Sequence, residues 1–199
     1  MFMTILKMSN ESILNANDLL DINSSYAIHQ WLTSQQDKHR AEDKILYRIL
    51  KTNNEVYFYI QSKTKFNLNH ISENGFIFIN QFGLDDLFNA IDTFISFDIQ
   101  VCPSITKNHK KLFIQDYNKR KEWLKNQFEK HGMILVDSIE YKHSPIIVDK
   151  DKTVSVPSTT YKGIAKIINK EQFIELVING LGDTKNFGAG LMLFKKVVI

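Results

Sequence analysis

The sequence predicts an α+β chain of two tandem βαββαβ units. Three observations carry this. Short apolar runs that alternate with polar residues recur along the chain, as in Glu55–Gln61 and Gly75–Phe82. Amphipathic helical patterns stand between these runs instead of following one another. In the second half the order is strand, helix, strand, strand, helix, strand, which is that of a ferredoxin-like (RRM-like) unit.

Met1–Lys7 reads as an opening strand. Ser24–Gln36 reads as a helix with Ile28, Trp31, Leu32 and Gln35 on one face and Ser24 or Ser25 as its cap. Lys44–Lys51 and Glu55–Gln61 flank the polar Thr52-Asn53-Asn54 and read as a hairpin. Gly75–Phe82 is a further strand. Leu84–Ile91 fits either a short helix or a linker, so the first half follows the βαββαβ order less clearly. Phe94–Cys102 is strand-like and stops at Pro103. Phe113–His131 reads as a helix with the stripe Phe113, Tyr117, Leu124 and Phe128, and Gly132 stands where a C′ glycine belongs. Met133–Tyr141 and Thr159–Ile168 read as strands around a polar insert with Pro145 and Pro157. Lys170–Asn179 is a helix with Phe173, Ile174, Val177 and Ile178 on its face, and Gly190–Val198 is the final strand. Two domains are expected, residues 1–90 and 94–199, with the boundary between about Phe82 and Phe97.

Composition sets outer bounds. The chain has 199 residues, 43% of them hydrophobic and 24% charged, an ordinary globular profile. A net charge of +3 permits an anionic partner without demanding one. Cys102 is the single cysteine, which excludes an intramolecular disulfide and a cysteine-rich zinc site and fits a reducing cytoplasm. No run approaches the ~20 apolar residues that cross a bilayer, and the apolar start is too short for a signal peptide. A soluble cytoplasmic protein without a membrane partner is expected.

Half of the eight glycines fall between Gly180 and Gly190, after a helix and before the last strand. Glycines there permit positive φ and close approach of another backbone. A phosphate held by bare N–H groups and Lys185 is one reading, and a glycine-rich helix-to-strand turn is the other. The order rules out a dinucleotide fingerprint, which needs a strand before the glycines, and no Gly-Lys-Ser/Thr follows to make a P-loop. Earlier, Tyr26 and His29 lie about 60° apart on their helix, with His29 roughly 100° from Ile28. This places the pair off the core stripe and facing outward, and taken alone it reads better as an ordinary surface His beside a Tyr. His39, His70, His109, His131 and His143 show no ligand spacing, so no metal and no small-molecule cofactor is expected. Lysines and one arginine cluster at Lys107, Lys110 and Lys111, at Lys119, Arg120, Lys121 and Lys125, and at Lys150, Lys152 and Lys162. Each cluster suits a solvated face, and together they suit a track for an RNA stem, which is read mainly by shape and phosphate. Tyr47, Tyr57 and Tyr59 sit in strands and are expected in the core more than under bases.

The pattern Gly-x-Gly-x-x-Lys-x-Phe-Gly-x-Gly-Leu over 180–191 resembles the glycine-rich signature of the CRISPR repeat-processing RNases of the RAMP superfamily. The Tyr-x-x-His helix, the strand–Pro–Lys segment Phe97–Lys107, the helix around Trp123 and the terminal loop extend the resemblance to the CasE branch over nearly the whole chain. Asp183 departs from the pattern, which has a basic residue or proline there, and this leaves more to Lys185. The resemblance implies that His29 is catalytic and Tyr26 assists it, and that Gly182, Lys185, Gly188, Gly190, Lys107, Lys119 and Arg120 face RNA. It implies metal-independent cleavage of a CRISPR repeat hairpin to a 2′,3′-cyclic phosphate and a 5′-hydroxyl. It also implies retention on the product beside the other Cascade subunits. A non-catalytic RNA-binding RAMP subunit is the alternative, against which Tyr26 and His29 argue. An unrelated small-molecule enzyme of the same fold is a third, against which the missing cofactor motif argues.

Overall fold

The computed structural model describes residues 1–9, 23–35, 44–69, 71–72, 75–85, 93–148 and 154–197. The chain divides into two compact units. One comprises Met1–Asp85 with Ile146–Ser155 and Asn186–Gly188; the other comprises Asp86–Pro145, Val156–Lys185 and Ala189–Ile199.

The first unit holds β1 (Phe2–Ser9), α1 (Ser25–Ser34), β2 (Leu46–Lys51), β3 (Glu55–Ser62) and β4 (Ile77–Gly83). Its sheet runs β2-β3-β1-β4, with β1 antiparallel to both neighbours. Alternation dictates which face is buried: Val56, Phe58 and Ile60 of β3 point inward beside Leu6 and Met8 of β1. Ile28 and Leu32 of α1 join them, and Trp31 stacks on Phe76 with ring centroids 4.6 Å apart. Each fully buried side chain of this kind contributes about 1.5–3 kcal/mol. Among the described residues no helix lies between β3 and β4. The irregular segment there sends Phe66, Ile71 and Phe76 into the core instead. Residues 86–91 of the ambiguous Leu84–Ile91 stretch lie outside the described residues.

The second unit holds β5 (Phe94–Val101), β6 (Ser104–Lys107), β7 (Lys110–Phe113), α2 (Tyr117–Lys130), β8 (Met133–Ile147), β9 (Ser155–Ile167), α3 (Lys170–Asn179) and β10 (Met192–Lys196). Its sheet order, β10-β5-β9-β8, repeats that of the first unit: fourth, first, third, second strand. The α+β, tandem ferredoxin-like architecture read from the sequence is therefore the observed one. On β5, Ile95, Phe97, Ile99 and Val101 are buried in strict alternation. Phe128 of α2 meets Phe97 edge-on at 4.8 Å, and Phe173 of α3 meets Phe194 at 5.2 Å.

Three expectations change. Phe113 belongs to β7, and α2 begins after its cap Asp116, whose carboxylate accepts from the Lys119 amide at 2.8 Å. The buried face of α2 is accordingly Arg120, Leu124 and Phe128, while Tyr117 is exposed. The expected polar insert is largely strand, because β8 runs through Pro145 to Ile147. As the edge of its sheet, β8 can spare the N–H that proline lacks. Among the described residues no helix is long and apolar enough to cross a membrane.

Candidate functional site

Ser24 caps α1: its hydroxyl accepts from the Ala27 amide at 3.2 Å and donates to the Val148 carbonyl at 3.3 Å. The Tyr26 amide donates to the same carbonyl at 3.0 Å. A third support comes from Tyr47 on β2, whose hydroxyl donates to the Ser25 carbonyl at 2.9 Å. The first turn of α1 is thus held from several sides.

Tyr26 lies on that turn with half of its surface exposed. Gln30 Nε2 donates to its hydroxyl oxygen at 2.8 Å, which leaves the phenolic proton available for another acceptor. His29 departs from expectation. It is buried, with 6% of its surface accessible, and groups with Ile28 and Leu32. The helix geometry explains this. Measured from Ile28, Leu32 lies at about 40° and His29 at about 100°, so all three fit within one ordinary apolar stripe, with Tyr26 at about 160° beyond its edge. The pair does not face outward together; the boundary of the core runs between its members.

The glycine-rich segment separates by position. Gly188 has φ +84°, and a Cβ there would come within 2.9 Å of Tyr47 Cε2. Gly190 has φ +86°, and a Cβ there would come within 2.6 Å of the Leu181 carbonyl. The Leu181 amide donates to the Gly190 carbonyl, and the Gly190 amide to the Gln100 carbonyl, at 2.9 and 2.7 Å. These two glycines are needed by the protein's own packing. Gly182 alone of the three has open space beside it, with nothing within 4 Å of where a Cβ would stand. Lys185 starts a single 3-10 turn, Lys185–Phe187, and is half-buried. Asp183, the departure from the family pattern, pairs with Lys111 at 2.6 Å on the surface.

Lys107, Lys110 and Lys111 stand on a hairpin, β6–β7, that sequence reasoning missed. Its turn residues Asn108 and His109 both have positive φ, 51° and 59°, as a mirror-image two-residue turn requires. The signal was the polar Asn-His pair between two apolar-basic runs. Lys119 is exposed on α2. Arg120 is not: it is buried, and Glu140 takes it in a fork, Nη2 to Oε1 at 2.6 Å and Nε to Oε2 at 3.1 Å. Its Nη1 donates to the carbonyls of Ile114, at 3.2 Å, and Gln115. A guanidinium so occupied has no face left for RNA, and Arg120 is withdrawn from that track. Lys162 is engaged by Asp98 at 3.4 Å. His39, His70, Lys150 and Lys152 lie outside the described residues.

Tyr26, His29 and Gly188 thus fall in the first unit, and Lys107, Lys119, Gly182, Lys185 and Gly190 in the second. Among the described residues no group of three or more His, Cys, Asp or Glu is arranged to hold a metal ion.

A family model described as "CRISPR associated protein" matches residues 1–196. No curated protein matches the chain by sequence. Among solved structures the chain is similar to the CRISPR endoribonuclease Cse3 bound to a 19-nucleotide RNA, at TM-score 0.86 and 16% identity, covering 98% of this chain and 100% of that one. It is similar to Thermus thermophilus Cse3 bound to an RNA representing a pre-cleavage complex, at TM-score 0.81 and 16% identity, with coverage of 98% and 100%. It is similar to the CRISPR-associated protein Cas6e from Escherichia coli K-12, at TM-score 0.72 and 15% identity, with coverage of 99% and 100%. At these identities the likeness is one of fold.

Proposed function

The chain belongs to the CRISPR-associated protein family, and from that premise we propose that it is a CasE-type endoribonuclease that cuts repeat hairpins in precursor RNA. The observation that carries this reading is the full-length correspondence in fold with a CRISPR endoribonuclease bound to RNA. The glycine-rich signature supports it from sequence.

The chemistry follows from the residues. The 2′-hydroxyl beside the scissile bond attacks phosphorus, the bond to the 5′-oxygen breaks, and a 2′,3′-cyclic phosphate and a 5′-hydroxyl result. One proton leaves the 2′-oxygen and one reaches the 5′-oxygen. His29 takes or gives one of them, for about 10²–10⁴-fold in rate. Tyr26 donates its available proton to a phosphate oxygen or orients the attacking hydroxyl. Burial of His29 suits this role if one nitrogen meets the reacting oxygen, because a covered ring keeps a single orientation. Lys185 and the open side of Gly182 receive a backbone phosphate, and Lys107 and Lys119 follow the stem. The protein then stays on its product beside other Cascade subunits in the cytoplasm.

A second reading has one observation in its favour. The burial of His29 also fits a packed core histidine in a non-catalytic RNA-binding subunit. Incubating the protein with a hairpin repeat RNA in excess EDTA separates the two. The proposal expects one cut, insensitive to EDTA, with a cyclic phosphate on the upstream fragment. RNA that is bound and left whole supports the second reading.

A further inference from the structure

Tyr47 is a buried polar side chain to which the proposed mechanism gives no task. Tyr47 is 1% exposed, at the inward side of β2, and its ring helps fill the core of the first unit. A phenylalanine would fill that core equally well. The hydroxyl therefore needs its own explanation.

That hydroxyl has two neighbours. It donates to the Ser25 carbonyl at 2.9 Å, and the Asn186 carbonyl stands at 3.5 Å. A phenol has one proton, so the nearer carbonyl takes it and the farther one is held weakly. The Ser25 carbonyl is the one to which the helical pattern directs the amide of His29, four residues on. Tyr26 is the next residue after Ser25. The contact therefore falls on the turn that carries both residues proposed to act in cleavage. On its other side the ring lies against Gly188, so closely that a Cβ there would come 2.9 Å from Cε2 and 3.3 Å from Cζ. Burial raises the phenol's pKa far above its ordinary value, so the hydroxyl stays protonated and keeps donating at any working pH.

We infer that Tyr47 is a positioning residue for RNA cleavage: one side chain fixes the first turn of α1 against the backbone of Asn186–Gly188, the stretch that directly follows Lys185. This rests on reading α1 as the catalytic helix. Tyr47 touches neither the RNA nor the reacting atoms; it sets where Tyr26 and His29 begin. Small displacements of catalytic groups are expensive, and misplacement of about 1 Å can cost about 10²-fold in rate.

The test is Tyr47→Phe, which removes the hydroxyl and keeps the ring under Gly188. Cleavage of a hairpin repeat RNA is followed in single turnover at saturating protein. Affinity is measured separately with the same hairpin carrying a 2′-deoxy sugar at the cut site, which cannot react. Both proteins are compared at a temperature where circular dichroism shows them folded. A fall of at least about tenfold in the saturated rate, with affinity within about twofold of wild type, is the expected result. A saturated rate within about twofold of wild type overturns the inference, whatever happens to the melting temperature. A parallel loss of rate and affinity also overturns it, since Tyr47 would then merely support the fold. Wild type and His29→Ala are run alongside. If wild type cuts, His29→Ala does not and Tyr47→Phe is normal, only this inference fails. If wild type leaves the RNA whole, the functional reading fails first and takes this inference with it.

Discussion

Replacing Arg120 with methionine separates a structural arginine from an RNA-binding one. In wild type both members of the Arg120–Glu140 pair are nearly covered, with side-chain exposures of 10% and 11%. The fork is two-pronged, and Nη1 also satisfies the Ile114 and Gln115 carbonyls where the chain turns from β7 into α2. The guanidinium lies 5.9 Å from the centre of the Phe113 ring as well. Methionine keeps the aliphatic stem and removes every donor. Glu140 is then left as a buried carboxylate without a counter-charge, and two carbonyls lose their partner. Breaking one side of a buried pair costs about 3–5 kcal/mol. At about 2–4 °C per kcal/mol for a chain of this size, the melting temperature should fall by about 6–20 °C. The assay is thermal unfolding by circular dichroism, repeated with Glu140→Leu in the same chain. The double variant should recover much of the loss, because both charges are then gone. On folded Arg120→Met at lower temperature, the slope of log affinity for hairpin RNA against log salt should match wild type. A melting temperature within about 2 °C of wild type, joined to a slope shallower by about 0.7–0.9, would return Arg120 to the RNA track.

Lys185→Ala should show the complementary pattern, with the salt slope shallower by roughly 0.7–0.9 and the melting temperature almost unchanged; an unchanged slope would make Lys185 part of a turn only. Gly188→Val should destabilise, with about 1–3 kcal/mol from the left-handed backbone alone and more from the clash with the Tyr47 ring, read by urea unfolding. Stability equal to wild type would mean that the loop is held less tightly than its geometry states.

How far the sequence could be read follows from particular residues. Lys170–Asn179 was legible at both ends because its signals are local: Asn169 caps it, its side chain accepting from the Gln172 amide at 3.1 Å, and Gly180 ends it. β3 and β5 were legible for the same reason, since period two is visible in a run with one buried face. The β6–β7 hairpin was not. Pro103 and the lysines after it look like a linker, and the turn uses Asn108 and His109 where Asn-Gly would have announced itself. Pro157 misled in another way: it belongs to β9 but lies outside the ladder with β5, which begins at Thr159. Residue type alone could not tell Arg120 from its neighbouring lysines, because burial depends on Glu140, twenty residues on and on another element. In the candidate site, the exposure of Tyr26 was legible, but the width of the buried stripe was not, and it put His29 inside the core boundary. Tyr47 was legible as a core residue of a strand, but its hydroxyl carried no local signal. Its hydroxyl acquires meaning only where the fold brings Ser25 and Asn186 to it.

Catalysis by His29 is tested by the single-turnover cleavage rate of His29→Ala on hairpin repeat RNA, measured beside its affinity for the same RNA. The rate should be lower by at least about 10²-fold, the least expected on removing a general acid–base group, with affinity almost unchanged because phosphate contacts dominate binding. Tyr26→Phe, which removes only a hydroxyl, should cost less. A His29→Ala protein that is folded and still cuts within a few-fold of wild type would mean that His29 is not the acid–base group of the cleavage.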